Sequence, residues 1–511
     1  MPDFIVVGAG SAGAVIASRL SADPSTQVLL LEAGSGDRPS AAVIPAAFSK
    51  LFETEADWNF RTEPEPRLDH RRLYWPRGKM LGGSSAMNAM IWTRGAQGDF
   101  DEWERLGNPG WGYQEMAPAF DAAERAAADR VGIAISRLRT VNPVTQAMVA
   151  AAIGSGIPPN DGFENGLMDG AGLFRVSQRQ GRRCSTAVGY LDPVRTRRNL
   201  TIITGAQVVD LLFASGRAVG VRYLGPEGSR LARGRVVLAA GAIGSPTLLL
   251  RSGIGPADDL ARAGIAVVQD LPGVGRNLQD HLSIGLMFHC RRAVTLAGAE
   301  RLDHLLNYLL LRRGPLSSNV AEGGAFVRID RGADRPDIEL IFAPSFFVDH
   351  GRGNPPGHGF TIAAILQRPG SRGAVRLGPG PDSGPLIQPN YLADGADLRR
   401  LVAGLELAAT IAERPELDAF RGARLFPEPG EGLEGFVRRR AETLYHPVGT
   451  CRMGGDPDSV VDHRLAVHGI DDLWVADASV MPAITTGHPN AAAVAIGERA
   501  ARFCVGASGW P

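Results

Sequence analysis

Two histidines near the end of a 511-residue chain each stand before a proline: His446 in "LYHPVGTCRMGG" (444–455) and His488 in "TTGHPN" (485–490). An imidazole with its ordinary pKa of about 6.5 exchanges protons near neutral pH, which suits a general base. Most histidines in a chain this long are surface or satisfied core residues. What these two do therefore depends on what the fold brings beside them.

The N-terminus supplies a second chemical element. "FIVVGAGSAGAVIASRLSADPSTQVLLLEAG" reads as strand, glycine turn, helix and strand. Phe4 to Val7 are a short apolar run of the kind buried in a parallel sheet. Gly8, Gly10 and Gly13 make the pattern GxGxxG: a tight turn, a close backbone approach to a pyrophosphate, and close helix packing. Phosphates would sit at the helix N-terminus, where free N–H groups and the helix dipole favour an anion. Glu32 follows Gly13 by 19 residues and ends the second strand, placed to accept the ribose hydroxyls and repel a 2′-phosphate. Ser11 and Ala12 within the turn, and Ala33 after Glu32, complete the expected cofactor-binding set at this end.

Bulk properties exclude several classes. Formal net charge is zero, with 54 basic and 54 acidic residues, so neither nucleic acid nor an anionic membrane is an obvious partner. Lys50 and Lys79 are the only lysines; the other basic residues are arginine. Cys184, Cys290, Cys451 and Cys504 show no CxxC spacing, which argues against a metal site and against a disulfide framework. "MPDFIVVGAG" lacks a basic segment before its apolar run and is not read as a signal peptide, and no uncharged run of spanning length occurs. A cytoplasmic location is the expectation.

The rest of the chain separates FAD from NAD. "WPRGKMLGGSSAMNAMIWTRG" (75–95), "RVVLAAGAIGSPTLLLRSGIGP" (235–256), "LPGVGRNLQDH" (271–281) and "DLWVADASVMP" (472–482) occur in that order. These segments, with "HPVGTCRMG", resemble the glucose–methanol–choline (GMC) oxidoreductases over nearly the whole chain, including both family signatures. The resemblance implies an α/β fold, a Rossmann-like FAD-binding domain interleaved with a substrate domain of antiparallel sheet and helices. It further implies that Gly82, Gly83, Ser84, Asn88 and Ile91 line the pyrophosphate and isoalloxazine, that Val208 meets the adenine, and that Asp477, Ala478 and Asn490 contact the flavin side. Asp477 is equally well placed to cap a helix. Some members bind FAD covalently through a histidine at the position of Met87, so FAD is expected to be non-covalent here. His446 is expected as the base that takes the hydroxyl proton of an alcohol, with His488 holding the developing alkoxide, while FAD accepts hydride.

Residues 1–125, 165–285 and 440–511 are expected to build the FAD domain and 286–439 the substrate domain, with 126–164 as a connecting or lid region. The expected activity is oxidation of a primary alcohol to an aldehyde, with O2 or a quinone as electron acceptor and no metal. Glu322 is one candidate carboxylate for a quaternary ammonium substrate, and Phe346 and Phe347 are candidate pocket walls. A hydroxynitrile-lyase-like or photodecarboxylase activity on the same scaffold is the alternative.

Overall fold

The computed structural model describes residues 1–124, 131–353, 355–380 and 383–506. Part of the expected lid region, residues 126–130, lies outside them. Apolar quartets build the first sheet, because a strand covered on both faces has no polar side to show. Its five strands run in the order Leu473–Val475, Arg235–Leu238, Phe4–Val7, Val28–Leu31, Leu200–Ile203, and every pairing is parallel. The helix Gly13–Leu20 crosses between the first two strands of the chain and is buried except at Arg19. Against it lies the C-terminal helix Asn490–Cys504, whose "NAAAVAIG" start is small enough for close contact: a Cβ on Gly497 would stand 2.8 Å from the Ala12 carbonyl oxygen. This contact, tied by the Arg19–Glu498 ion pair at 2.7 Å, brings the last residues of the chain beside the first glycine turn.

The second sheet is seven-stranded and antiparallel. Its path is Arg421–Phe426, Leu282–Cys290, Gly359–Leu366, Ile338–Ala343, Gly323–Val327, Gly170–Leu173, and the seventh strand, Glu442–Thr443, also pairs with Leu282–Cys290. Side chains alternate across it. Ile338, Leu340 and Phe342, with Phe360, Ile362 and Ala364, face one core with the helix Gly395–Ala412, which presents Leu401, Leu405 and Ala408 to them. Glu339, Ile341, Thr361 and Ala363 occupy the alternate positions, and three of the four line a cavity described below.

The strand Gly170–Leu173 belongs to this second sheet, although its place in the chain assigns it to the cofactor domain in the sequence reading; "GAGL" has no alternation to reveal its partner. The expected division at 285/286 falls inside the strand Leu282–Cys290. The helix Pro143–Gly154, expected in the connecting region, packs Val144, Met148, Ala151 and Ala152 into the core of the second sheet. No described helix is long and apolar enough to cross a membrane.

Candidate active site

The first glycine turn opens on a cavity of about 370 Å³ at the carboxyl ends of the parallel strands. Gly8, Gly10, Ser11, Ala12, Glu32, Ala33, Gly83, Ser84, Val208, Asp477 and Ala478 all line it. Gly8 has φ +97°, and Gly13 must lack a side chain because a Cβ would lie 1.9 Å from the Gly8 carbonyl oxygen. Gly10 differs from both: a Cβ there would meet no protein atom closer than 4.0 Å and would instead take up cavity space. Gly13 and Gly82 do not line the cavity, and both act through the backbone. Gly82, at φ +93°, donates its N–H to the Ala9 carbonyl at 2.8 Å and so holds the second glycine loop against the first.

The two carboxylates of this cavity are fixed by backbone donors. Glu32 accepts from the N–H groups of Ala9 and Gly34, each at 2.8 Å, while burial pushes its carboxyl above the usual range against those bonds. Asp477 accepts from the Gly241 N–H at 2.8 Å and the Ser245 hydroxyl at 2.6 Å, and its other oxygen accepts from the Ser479 N–H at 2.8 Å. It therefore caps the short helical turn Ala478–Val480, the capping role the sequence offered, while it also holds the start of the helix Gly241–Arg251 and lines the cavity. Two helix N-termini, at Gly13 and Gly241, point into one glycine-walled space, which fits a dinucleotide pyrophosphate.

A second cavity, about 200 Å³, carries Asn88, Ile91, His446, His488 and Asn490. Ser11, Arg77, Ser84, Pro447, Ala478 and Ala493 line both spaces, so the two are continuous. The Asn490 amide oxygen accepts from the Ser11 hydroxyl at 2.7 Å, which ties the C-terminal helix to the glycine turn.

The two histidines lie with ring centroids 4.9 Å apart at 86°. Their outer nitrogens are held by residues that sequence reasoning did not assign to the site. His281 Nε2 lies 3.1 Å from the Gln367 carbonyl oxygen, which can only accept, so Nε2 carries the proton. Burial pushes His281 down to about 3, and the charge of His488 adds to this, so the ring is neutral and its Nδ1 is a lone pair. His446 Nδ1 stands 2.9 Å from that lone pair and must be the donor. The remaining nitrogen of His446, Nε2, is then the unprotonated one. Burial first, then the neighbouring His488, His281 and Arg77, hold His446 well below an ordinary histidine pKa. The His446 backbone N–H donates to Asp280 at 2.7 Å, which fixes the start of the "HPVGT" turn.

His488 donates from Nε2 to Glu339 at 3.0 Å. The other Glu339 oxygen accepts from the Gln367 side-chain amide at 2.8 Å, and the Gln367 amide oxygen accepts from the Gly487 N–H at 2.5 Å. Gln367 thus braces both histidines, one through its carbonyl and one through its side chain. The only signal for these positions is a single polar residue within or just after an apolar strand: Glu339 in "DIELIF" and Gln367 in "AAILQRP". His281 sets the tautomer of His446.

Glu322 does not reach the cavity. Its oxygens accept from the Asn142 N–H and Thr145 hydroxyl at 2.8 Å each and from Ser318 at 2.6 Å, at the start of the helix Pro143–Gly154. As an ammonium-binding carboxylate it is excluded, because its lone pairs hold this buried helix end. Of the two phenylalanines, which the sequence leaves between pocket wall and core packing, Phe347 lines the cavity and Phe346 packs on His289 and Gly359. Among the described residues no cluster of His, Cys, Asp and Glu could hold a metal ion.

A nucleotide cradle continuous with a histidine-bearing cavity is the plan of an oxidoreductase that uses a dinucleotide cofactor. The chain belongs to the GMC oxidoreductase family: family models described as GMC oxidoreductase match residues 2–283 and 369–497. Members of this family bind FAD, and this chain is an FAD-dependent oxidoreductase of that type. It is 46% identical to an uncharacterized GMC-type oxidoreductase of Mycobacterium tuberculosis, over 98% of each chain. It is 40% identical to an alcohol dehydrogenase [acceptor] of Pseudomonas putida, over 99% of this chain and 96% of the relative. Among solved structures it resembles pyridoxine 4-oxidase from Mesorbium loti, with a TM-score of 0.89 and 35% identity over 98% of this chain and 99% of the other.

Proposed function

We propose that this protein oxidises an uncharged primary alcohol to the aldehyde, with His446 as the base. The observation that carries this is the tautomer chain from the Gln367 carbonyl through His281 to His446, which leaves Nε2 of a cavity-lining histidine free to accept a proton. FAD, held by the glycine cradle, Glu32 and Asp477 and bound without a covalent link because Met87 replaces the linking histidine, supplies the hydride acceptor. His446 Nε2 takes the hydroxyl proton. His488, with Glu339 as counter-ion, turns its Nδ1 side to the alkoxide and holds it while the C–H bond breaks. The carbonyl product forms as the proton leaves on His446. Asn490 and Ser11 fix the wall between the two spaces.

The cavity favours an apolar substrate. Phe48, Phe52, Met90, Ile91, Val320 and Phe347 face it, and no Asp or Glu is among its lining residues. No carboxylate lines it as a counter-charge for a quaternary ammonium, so an uncharged alcohol is the proposed substrate. The relatives named alcohol dehydrogenase [acceptor] and choline dehydrogenase, and the pyridoxine 4-oxidase structure, support oxidation of an alcohol rather than a lyase reaction, and the choline dehydrogenase makes choline the substrate to test against the apolar alcohols. O2 or a quinone is the proposed acceptor, in a reducing cytoplasm that suits four free cysteines.

The test is product analysis: FAD-loaded protein with dichlorophenolindophenol as acceptor should convert 1-octanol and benzyl alcohol to aldehydes and leave choline untouched. Efficient choline oxidation with no aldehyde from the apolar alcohols would overturn the substrate assignment. A pH dependence follows too. The neutral imidazole is the working form of a base, so a lowered His446 pKa extends activity to acid pH rather than curtailing it. The acid limb of kcat/KM should lie clearly below the ordinary histidine value of about 6.5. A limb at that value contradicts a neutral, buried His446.

A further inference from the structure

The helix Leu302–Leu311 wears its apolar side outward. Tyr308 is its one buried residue, whereas Leu302 is 70% and Leu310 78% exposed, with Leu306 and Leu309 about half exposed. At 100° per residue Leu302, Leu306, Leu309 and Leu310 form one stripe on the side opposite Tyr308. The inner side is pinned: the Tyr308 hydroxyl donates to the Gly181 carbonyl at 3.1 Å, and the Gly314 N–H donates to Thr140 at 3.0 Å. The stripe is therefore a fixed surface. A leucine face of this kind in water is unfavourable and marks something that covers it.

Charge beside the stripe indicates what. Arg139, Arg182, Arg312 and Arg313 gather at the C-terminal end of the helix. A Cβ on Gly181 would meet the Arg312 carbonyl oxygen at 2.5 Å and Arg139 Cδ at 3.2 Å, and Arg182 follows Gly181 directly. None of the four is paired with a carboxylate among the described residues, while at the other end Arg301 pairs with Asp303 and Lys50 with Glu300. The patch is thus apolar with a net positive rim, inside a chain of zero net charge.

We propose that this helix docks the protein on an anionic lipid surface. The leucines enter the boundary between headgroups and acyl chains, and the guanidinium groups of the exposed Arg139, Arg182 and Arg313 meet lipid phosphates, while Arg312 stacks over the Tyr308 ring beside them. The helix lies along the surface and does not cross it. A short turn, Pro315–Ser317, joins it to Val320 and Ala321 of the apolar cavity wall, so the docking face and the cavity share one stretch of chain.

Co-sedimentation of the full-length FAD-loaded protein with lipid vesicles tests this. Phosphatidylcholine vesicles containing phosphatidylglycerol should carry the protein down, vesicles of phosphatidylcholine alone should carry far less, and added salt should release it. Leu306→Glu with Leu310→Glu should cut the bound fraction by about tenfold or more, and Arg312→Gln with Arg313→Gln should remove the preference for phosphatidylglycerol. Retained flavin absorbance shows that each variant is folded. Equal binding by the leucine variant, or no binding by the wild type, overturns the proposal. So does a wild-type dimer that ignores vesicles and falls to monomers in the leucine variant, which would make a second copy the covering partner.

Discussion

Replacing His446 by alanine is expected to lower turnover by about 10²–10⁴-fold while the purified protein stays yellow. The two halves of that expectation come from different parts of the geometry. His446 lines the second cavity and not the first, so its loss leaves the glycine cradle, Glu32 and Asp477 intact for the cofactor. The ring also packs no core that depends on it: its partners are His281 and His488, and the bond to Asp280 comes from the backbone N–H, which alanine keeps. What disappears is the one nitrogen whose lone pair the hydrogen-bond chain leaves unprotonated. Stopped-flow and steady-state rates with one confirmed alcohol check the first half, and the flavin-to-protein absorbance ratio checks the second. Full turnover in the variant would refute His446 as the base.

Gly10→Val is expected to fold normally and to lose FAD affinity by roughly 10- to 100-fold, the effect of overpacking a filled site by about 1–3 kcal/mol. The contrast among the three glycines makes this a clean experiment. At Gly8 a side chain would stand 2.6 Å from the Ala239 carbonyl oxygen at φ +97°, and at Gly13 it would strike the Gly8 carbonyl, so substitution at either disturbs the protein itself. At Gly10 the nearest protein atom is the Gly83 Cα at 4.0 Å. A side chain there takes space from the ligand and little from the fold. FAD titration by fluorescence quenching, with a urea unfolding midpoint on the apoprotein, separates the two effects. An unchanged FAD affinity would mean that the pyrophosphate does not pass this turn.

Much of this was legible in the chain because the signals are local. The apolar quartets at 4–7 and 28–31 announce strands buried on both faces, and GAGSAG between strand and helix announces the turn that joins them. Their parallel pairing follows from the crossover helix between them. The segment "DLRRLVAGLELAATIAERPEL" (397–417) reads as a helix, and the structure places one at Gly395–Ala412, capped by Asp394, whose side chain accepts from the Ala396 N–H at 2.9 Å. What stayed hidden is non-local. His281 and His446 are 165 residues apart, and Glu339 and His488 are 149 apart, so no spacing rule connects them. Gln367 is one polar residue after an apolar strand, which any edge or turn could explain. Glu322 shows the opposite failure: an acidic residue among small and polar neighbours looks available, yet its oxygens are consumed by a helix start. The leucine helix escaped because net charge averages over the surface; a zero sum conceals an arginine cluster beside exposed leucines.

One measurement bears on the central claim most directly: anaerobic mixing of the yellow wild-type protein with an uncharged primary alcohol such as 1-octanol, beside His446→Ala loaded with the same FAD, while the visible absorbance of the oxidised flavin is followed. The wild type should bleach, and the variant should bleach at least about a hundredfold more slowly. Equal bleaching rates in the two proteins would contradict the role of His446, and an unbleached wild type across a range of primary alcohols would contradict alcohol oxidation itself.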